Sequence, residues 1–299
     1  MFSSGLSQSF HTLAGQWDRF WFRPAGTHSL ALMRICVGLI VIYNHWVWGQ
    51  TFDDLLAPDG FLGVNYAKWT HESSFVWSHF FWIRSAAALK LIHVGAFVWI
   101  IMFTLGLITR VSGILTLLTI ISYSHRATGV LMGVDQTTSM IVFYLCMAPS
   151  GNSFAADRWI WPDMGTKKVS ANVILRLIQI HLCVIYLSSG LGKLQGELWW
   201  NGEAMWNVIA NGEFQTFDLL WLAHYPRLLE AITHLVVFWE ISYPVMIWLG
   251  FARPIYLVGA VLLHAGTGLA LGLTPFALAM LVANMAFLPS HWRSGSQGS

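Results

Sequence analysis

The chain has 299 residues, 56% of them hydrophobic and only 10% charged, and its mean hydropathy is +0.59. Soluble domains carry about 25% charged residues, so this composition excludes an ordinary soluble enzyme and points to a polytopic membrane protein. A formal net charge of +2 leaves no electrostatic footprint for nucleic acid.

In chain order, residues 1–28 form an N-terminal segment without the apolar core of a cleavable signal peptide. Within it Phe10 to Phe22 is too short and too polar to span, and its aromatics with Arg19 suggest a helix lying on the membrane surface. The first span is Ser29 to Trp48, where Arg34, one turn inside, is expected to snorkel to the interface. Gly49 to Arg84 carries Asp53, Asp54, Asp59, Lys68 and Glu72 beside Phe61, Trp69, Phe75, Trp77 and Trp82, which reads as a semi-polar, membrane-associated cap. Spans follow at Ala86 to Leu107 and at Val111 to about Arg126. The apolar run from Thr137 to Met147 is too short to cross alone, since about 20 residues are needed. Either Gly129 to Gly133 extends it or the helix is broken. Pro149 to Ser170 is the most polar loop.

A membrane-length apolar helix beginning at Ala171 ends on Gly192-Lys193. A second semi-polar cap, Asn201 to Tyr225, precedes spans at Arg227 to Leu249, Ile255 to Leu273 and Phe276 to Leu288. Pro226, Pro254 and Pro275 stand at their starts, where proline suits a first helical turn. Residues 290–299 read as a polar tail. The expectation is an all-α transmembrane bundle of about eight helices over residues 29–289, in contact with the lipid bilayer. Alternating sides, Arg19, Arg23, Arg110, Arg158, Lys167, Lys168, Arg253 and Arg293 fall on one face, against Lys68, Arg84, Arg126, Lys193 and Arg227 on the other. That bias puts both termini in the cytoplasm, as for a multi-pass protein of the cell inner membrane, and turns the two caps outward. Cys36, Cys146 and Cys183 lie in apolar runs and form no disulfide framework.

Four groups could carry chemistry. On the helix ending at Lys193, the residues Arg176, Gln179, Cys183, Tyr186, Gly190 and Lys193 fall within a band of about 100°, and a polar stripe of this kind is expected to face the bundle interior. Lysine there, beside Ser188, Ser189, Gly190 and Gly192, is partly desolvated, which favours a neutral, basic amine; the alternative is a lysine anchored at a helix end. His125, Arg126 and Asp135 form a second group, either a pocket wall near Lys193 or a solvated loop. Glu230, His234 and Glu240 share one span, Glu240 being the carboxylate nearest its middle, and without an HExxH no metal is expected. His264 lies mid-span; with Ser189 it raises an intramembrane serine-protease reading, against which the residue two before the serine is Leu187, not glycine.

Five runs, SLALMRICVG (29–38), LGLITRVSGIL (105–115), FYLCMAP (143–149), IYLSSGLGKLQGELWWNGEAM (185–205) and VLLHAGTGLALGLTPF (261–276), resemble the HTTM (horizontally transferred transmembrane) domain, the membrane domain that vitamin K-dependent γ-carboxylases share with many bacterial proteins. The resemblance spans about residues 23–289. It implies that Lys193 corresponds to the lysine that deprotonates vitamin K hydroquinone, a chemistry that uses O2 and adds CO2 to a glutamate carbanion. His264 would match a histidine of a late helix, while the carboxylase histidine beside the lysine has no match, its place falling near Asp135. On this resemblance Lys193, Asp135 and His264 are the expected catalytic residues, and Tyr186, His125, Arg126, Arg176 and Gln179 the expected neighbours of a reduced quinone. The carboxylases also have a luminal domain that holds the protein substrate. Other HTTM proteins resemble membrane proteins that mature secreted peptides, so a non-catalytic partner of a secreted peptide is the competing expectation.

Overall fold

A computed structural model describes residues 2–71, 75–213 and 216–288, with side chains from residue 12 onward. The expected polar tail and Glu72 of the first cap lie outside the described residues. The chain forms α1 (Phe2–Phe22), α2 (His28–Gln50), α3 (Val64–Trp69), α4 (Ala86–Leu105), α5 (Thr109–Arg126), α6 (Gly133–Met147), α7 (Asp157–Ile160), α8 (Val169–Lys193), α9 (Glu197–Trp200), α10 (Ala204–Ile209), α11 (Pro226–Met246), α12 (Arg253–Ala270) and α13 (Thr274–Asn284). Each apolar run of the sequence is a helix, and four of them, α2, α4, α8 and α11, are long and apolar enough to cross a membrane. The α6 helix starts at Gly133 behind a separate 3₁₀ turn at Thr128–Val130, so its short apolar run is a broken helix and not a longer continuous one.

Sequence sets the helix ends. Ser85 caps α4 by accepting the Ala88 N–H, and Gly106 closes it in the left-handed conformation that glycine tolerates. Pro stands in the first turn of α11, α12 and α13. Buried faces of α2, α4, α6 and α8 meet in one core that includes Leu30, Val37, Ile100, Leu145, Ile178 and Leu182. The opposite faces stay apolar and open: Leu91, Val94, Val98, Ile101 and Leu105 form an exposed stripe on α4, Leu91 at 74%. A helix that is apolar all round, with its outer stripe uncovered, is stable against acyl chains and not against water. The chain is a multi-pass membrane protein.

Arg34 corrects the sequence reading. It does not snorkel; its side chain is fully buried and donates to the carbonyls of Thr104, Ser150 and Phe154. The intervening chain needs those donors because the loop after α6 folds inward over the bundle, where water cannot satisfy its carbonyls. The same loop is pinned by Asp157, whose carboxylate accepts the N–H groups of Ile108 and Thr109 at 2.6 and 2.9 Å and the Thr109 hydroxyl at 2.6 Å, capping α5. A two-residue antiparallel bridge, β1 (Ala25–Gly26) with β2 (Lys167–Lys168), ties the loop to the segment before α2.

At the other end, residues 49–71 and 75–84 lie over α4 and α5. Phe52, Leu56, Phe80, Leu89, Tyr123 and Ala127 make a small second core beneath them. Ser78 donates to the Ser122 carbonyl at 2.8 Å, and the His79 Nδ1 lies 2.6 Å from the Ser122 hydroxyl. Burial pushes the His79 imidazole down from the usual 6.5 to about 4. The neutral ring is therefore the folded form. Its contribution to stability is complete above pH 6.5 and is lost as pH falls through 4, with an upper bound of about 3 kcal/mol at 1.36 kcal/mol per unit. Thermal unfolding in detergent should show a midpoint that drops between pH 6.5 and 4, and His79→Gln should flatten that slope; an unchanged slope in the variant would assign the pH response to other groups.

Candidate functional site

The strongest polar group inside the apolar bundle lies where α8 meets α11. The two helices run antiparallel in close contact. Gly190 makes this possible: a Cβ there would come within 2.7 Å of Ile241 Cγ1 and 3.1 Å of the Ile241 backbone nitrogen. At this closest approach the Lys193 Nζ donates to Glu240 Oε2 at 2.6 Å and to Ser189 Oγ at 2.7 Å, and it sits 5.2 Å from the centroid of the Trp199 ring. The side chains are 20% and 7% exposed, respectively. Among the described residues only one other ion pair exists, the exposed Lys90–Asp53 contact.

Glu240 lies in the body of α11, 14 residues from its first, about 21 Å at 1.5 Å per residue. Thus α11 continues well past the end of α8. The chain after α8 folds back along this overhang: Thr233 donates to the Gly202 carbonyl at 3.1 Å, Met205 N–H donates to Thr233 Oγ1 at 3.2 Å, and His234 Nε2 lies 3.2 Å from the Trp200 carbonyl. Gly202 adopts φ +78°, and its missing Cβ leaves room for Glu230. Lys193 consequently ends a helix without reaching the end of the bundle on that side; Trp199 of α9 lies over it, and α10 packs on the α11 overhang. Pro244 in α11 has no N–H for the Glu240 carbonyl four residues back, so the helix is perturbed at the carboxylate's own residue.

A second group lies about 10 Å further along α8, seven residues from Lys193. Tyr243 donates to Asn284 Oδ1 at 2.7 Å, and Asn284 Nδ2 donates to Tyr186 Oη at 2.9 Å. With its oxygen so used, the Tyr186 hydroxyl donates to His264 Nε2, 2.7 Å away. The proton of His264 then resides on Nδ1, which is buried without a partner. The chain of bonds crosses four helices, α11, α13, α8 and α12.

The structure thus brings Lys193 and Glu240 together and sets Tyr186 with His264 beside them. It disperses the remaining expected site residues. Arg176 donates to the Phe20 carbonyl and to Gln179 Oε1 and lies 4.2 Å from the Phe20 ring centroid, while Gln179 donates to the Ala286 carbonyl; both tie α8 to its neighbours 14 or more residues from Lys193. His125 faces the Trp77 backbone in the first cap. Arg126 is buried and donates to the Ala57 carbonyl. Asp135 accepts the Met132 N–H in the first turn of α6 and lines a separate cavity with His45, Trp48 and Tyr123; it makes no hydrogen bond or ion pair with the Lys193 group. Ser189 receives Lys193 and His264 faces Tyr186, so these two do not form a serine-histidine pair. Among the described residues no three His, Cys, Asp or Glu side chains cluster as a metal ion would require.

Glu240 was visible as a mid-span carboxylate, but a sequence does not reveal which helix faces it. Asn284 and Tyr243 carried no signal, since each is an ordinary residue of an apolar helix until the partners are known. The family model of the HTTM domain matches residues 22–292. No curated protein and no solved structure matches the chain.

Proposed function

Because the chain belongs to the HTTM domain family, we propose that it is a membrane-embedded enzyme domain in which Lys193, paired with Glu240, deprotonates and holds the hydroxyl of a quinol-type ligand. The observation that carries this reading is the ion pair itself, a lysine and a carboxylate 2.6 Å apart where the last residue of α8 meets the body of α11. Ionisable groups in such places are costly, and function is the default reason for retaining them.

The residues fit a reduced quinone by the chemistry of their donor set. Two of the three Lys193 N–H donors are used by Glu240 and Ser189, which leaves one for a ligand oxygen. The Trp199 ring, its centroid 5.2 Å from the Lys193 Nζ, offers an aromatic face against which a quinol ring can stack. Bound there, a quinol supplies, with O2, the strong base needed to add CO2 to a glutamate. The protein's part is electrostatic. Lys193 passes one proton to Glu240 across the existing hydrogen bond and takes the quinol hydroxyl proton in its place, so that the restored ammonium faces the phenolate and Glu240 ends protonated. Tyr186 and His264 form the polar wall behind the pair, and Trp199 shields one side of the ammonium. In this reading all eight apolar helices are counted as crossings, the termini are cytoplasmic in the inner membrane, and the Lys193 side faces outward.

Epoxide formation from vitamin K hydroquinone by the purified protein in lipid nanodiscs tests the proposal. Wild type is expected to produce epoxide and Lys193→Ala to lose about 100-fold, the lower range for a lost acid–base group. Equal yields from both would remove Lys193 as the base; no yield from wild type would remove the quinol.

A further inference from the structure

A cavity lies at the far end of α8 from Lys193, about 36 Å away along the helix. It is an open cavity of about 780 Å³ between the starts of α5 and α8 and the pinned loop after α6. Arg110 and Lys168 line it with Asn152, Trp161, Asp163 and Ser170. Among the described residues neither the Arg110 nor the Lys168 side chain forms a hydrogen bond or an ion pair, and Asp163 is likewise unpaired, so the wall carries a net positive charge.

The walls are built, not draped. Asn152 is buried and donates to the Gly165 carbonyl at 2.8 Å, Arg34 and Asp157 hold the loop from beneath, and the bridge between β1 and β2 fixes Lys168. The first turn of α8, which includes Ser170, receives no side-chain cap. The rim is apolar and open: Trp159, Ile160 and Trp161 are exposed, and Val111 and Ile114 continue the exposed apolar surface along α5 from Arg110. Tryptophan beside a helix start at the end of a membrane bundle sits at headgroup level.

We propose that this cavity is a binding site for the phosphate headgroup of an anionic phospholipid. The phosphate lies between Arg110 and Lys168, and the acyl chains run down α5 over Val111 and Ile114. A basic pocket at the foot of membrane helices meets both requirements of such a lipid, charge for the head and open apolar surface for the tails. The site is independent of the Lys193 reading.

Native mass spectrometry from nanodiscs containing equal phosphatidylglycerol and phosphatidylcholine tests it. Wild type should retain phosphatidylglycerol preferentially, Arg110→Gln and Lys168→Gln should each lower retention about five-fold, and Asp163→Asn should raise it. Lys68→Gln, in the cap at the other end, should leave retention unchanged. Equal retention of the two lipids, wild-type retention by the Arg110 and Lys168 variants, or an equal loss in Lys68→Gln would overturn the site. Displacement of the lipid by glycerol phosphate at matching concentration would also overturn it, by assigning the cavity to a soluble anion. All four side chains are exposed, so folding is preserved, and unchanged thermal midpoints verify this.

Discussion

Glu240→Leu is expected to destabilise the protein by about 2–3 kcal/mol, whereas Glu240→Leu combined with Lys193→Met is expected to fall close to wild type. Removing one partner of a buried pair leaves an uncompensated charge, which typically costs about 3–5 kcal/mol, while replacing both by apolar groups is often neutral. The lower figure applies because the Lys193 side chain keeps 20% of its surface open. Unfolding midpoints in lipid micelles for both single variants and the double variant form the required cycle. A double variant whose loss equals the sum of the two single losses would show that the two side chains are not coupled. Stability and chemistry also separate here, since the double variant should be folded and inactive. An active double variant would make the pair merely a clamp between α8 and α11.

Arg34→Leu is expected to cost on the order of 4 kcal/mol, because two buried carbonyls and a partly buried one lose charged donors at once. Those carbonyls, on Thr104, Ser150 and Phe154, belong to α4 and to the loop after α6. The readout is therefore local as well as global: proteolytic cleavage between Pro149 and Lys168 should accelerate. Arg34→Lys should rescue little, since one ammonium cannot reproduce the planar fork that reaches two loop carbonyls. Near-wild-type stability and protease resistance in Arg34→Lys would sink this account.

The helices were legible to within a few residues because each is a long apolar run broken by polar or proline residues. The expected span from Ser29 to Trp48 is α2, and the run from Thr137 lengthens only to Gly133. The inward address of the Gln179, Cys183, Tyr186 and Gly190 stripe was also legible, since all four are buried and only helical periodicity was needed. Partnerships were not. Arg34 read as an interface anchor because its carbonyl acceptors are 70 to 120 residues away in the chain. Lys193 and Asp135 read as members of one pocket because both fall on one side, yet their bonds run to different partners, Asp135 to the Met132 N–H and Lys193 to Glu240 and Ser189. Side-of-membrane arguments fix one coordinate of a residue, and a site needs three.

The overhang of α11 beyond α8 bears on how the protein is made. Lys193 leaves the ribosome 47 residues before Glu240. At about 5–20 residues per second, the lysine precedes its counter-charge by roughly 2–9 s. An unpaired lysine in a hydrocarbon core costs about 3 kcal/mol, so during that interval nascent α8 is held with its ammonium among the headgroups. Pairing is expected to wait for the arrival of α11. Loss of Glu240 therefore reaches the cell first as stalled membrane integration of α8, before any catalytic cycle begins.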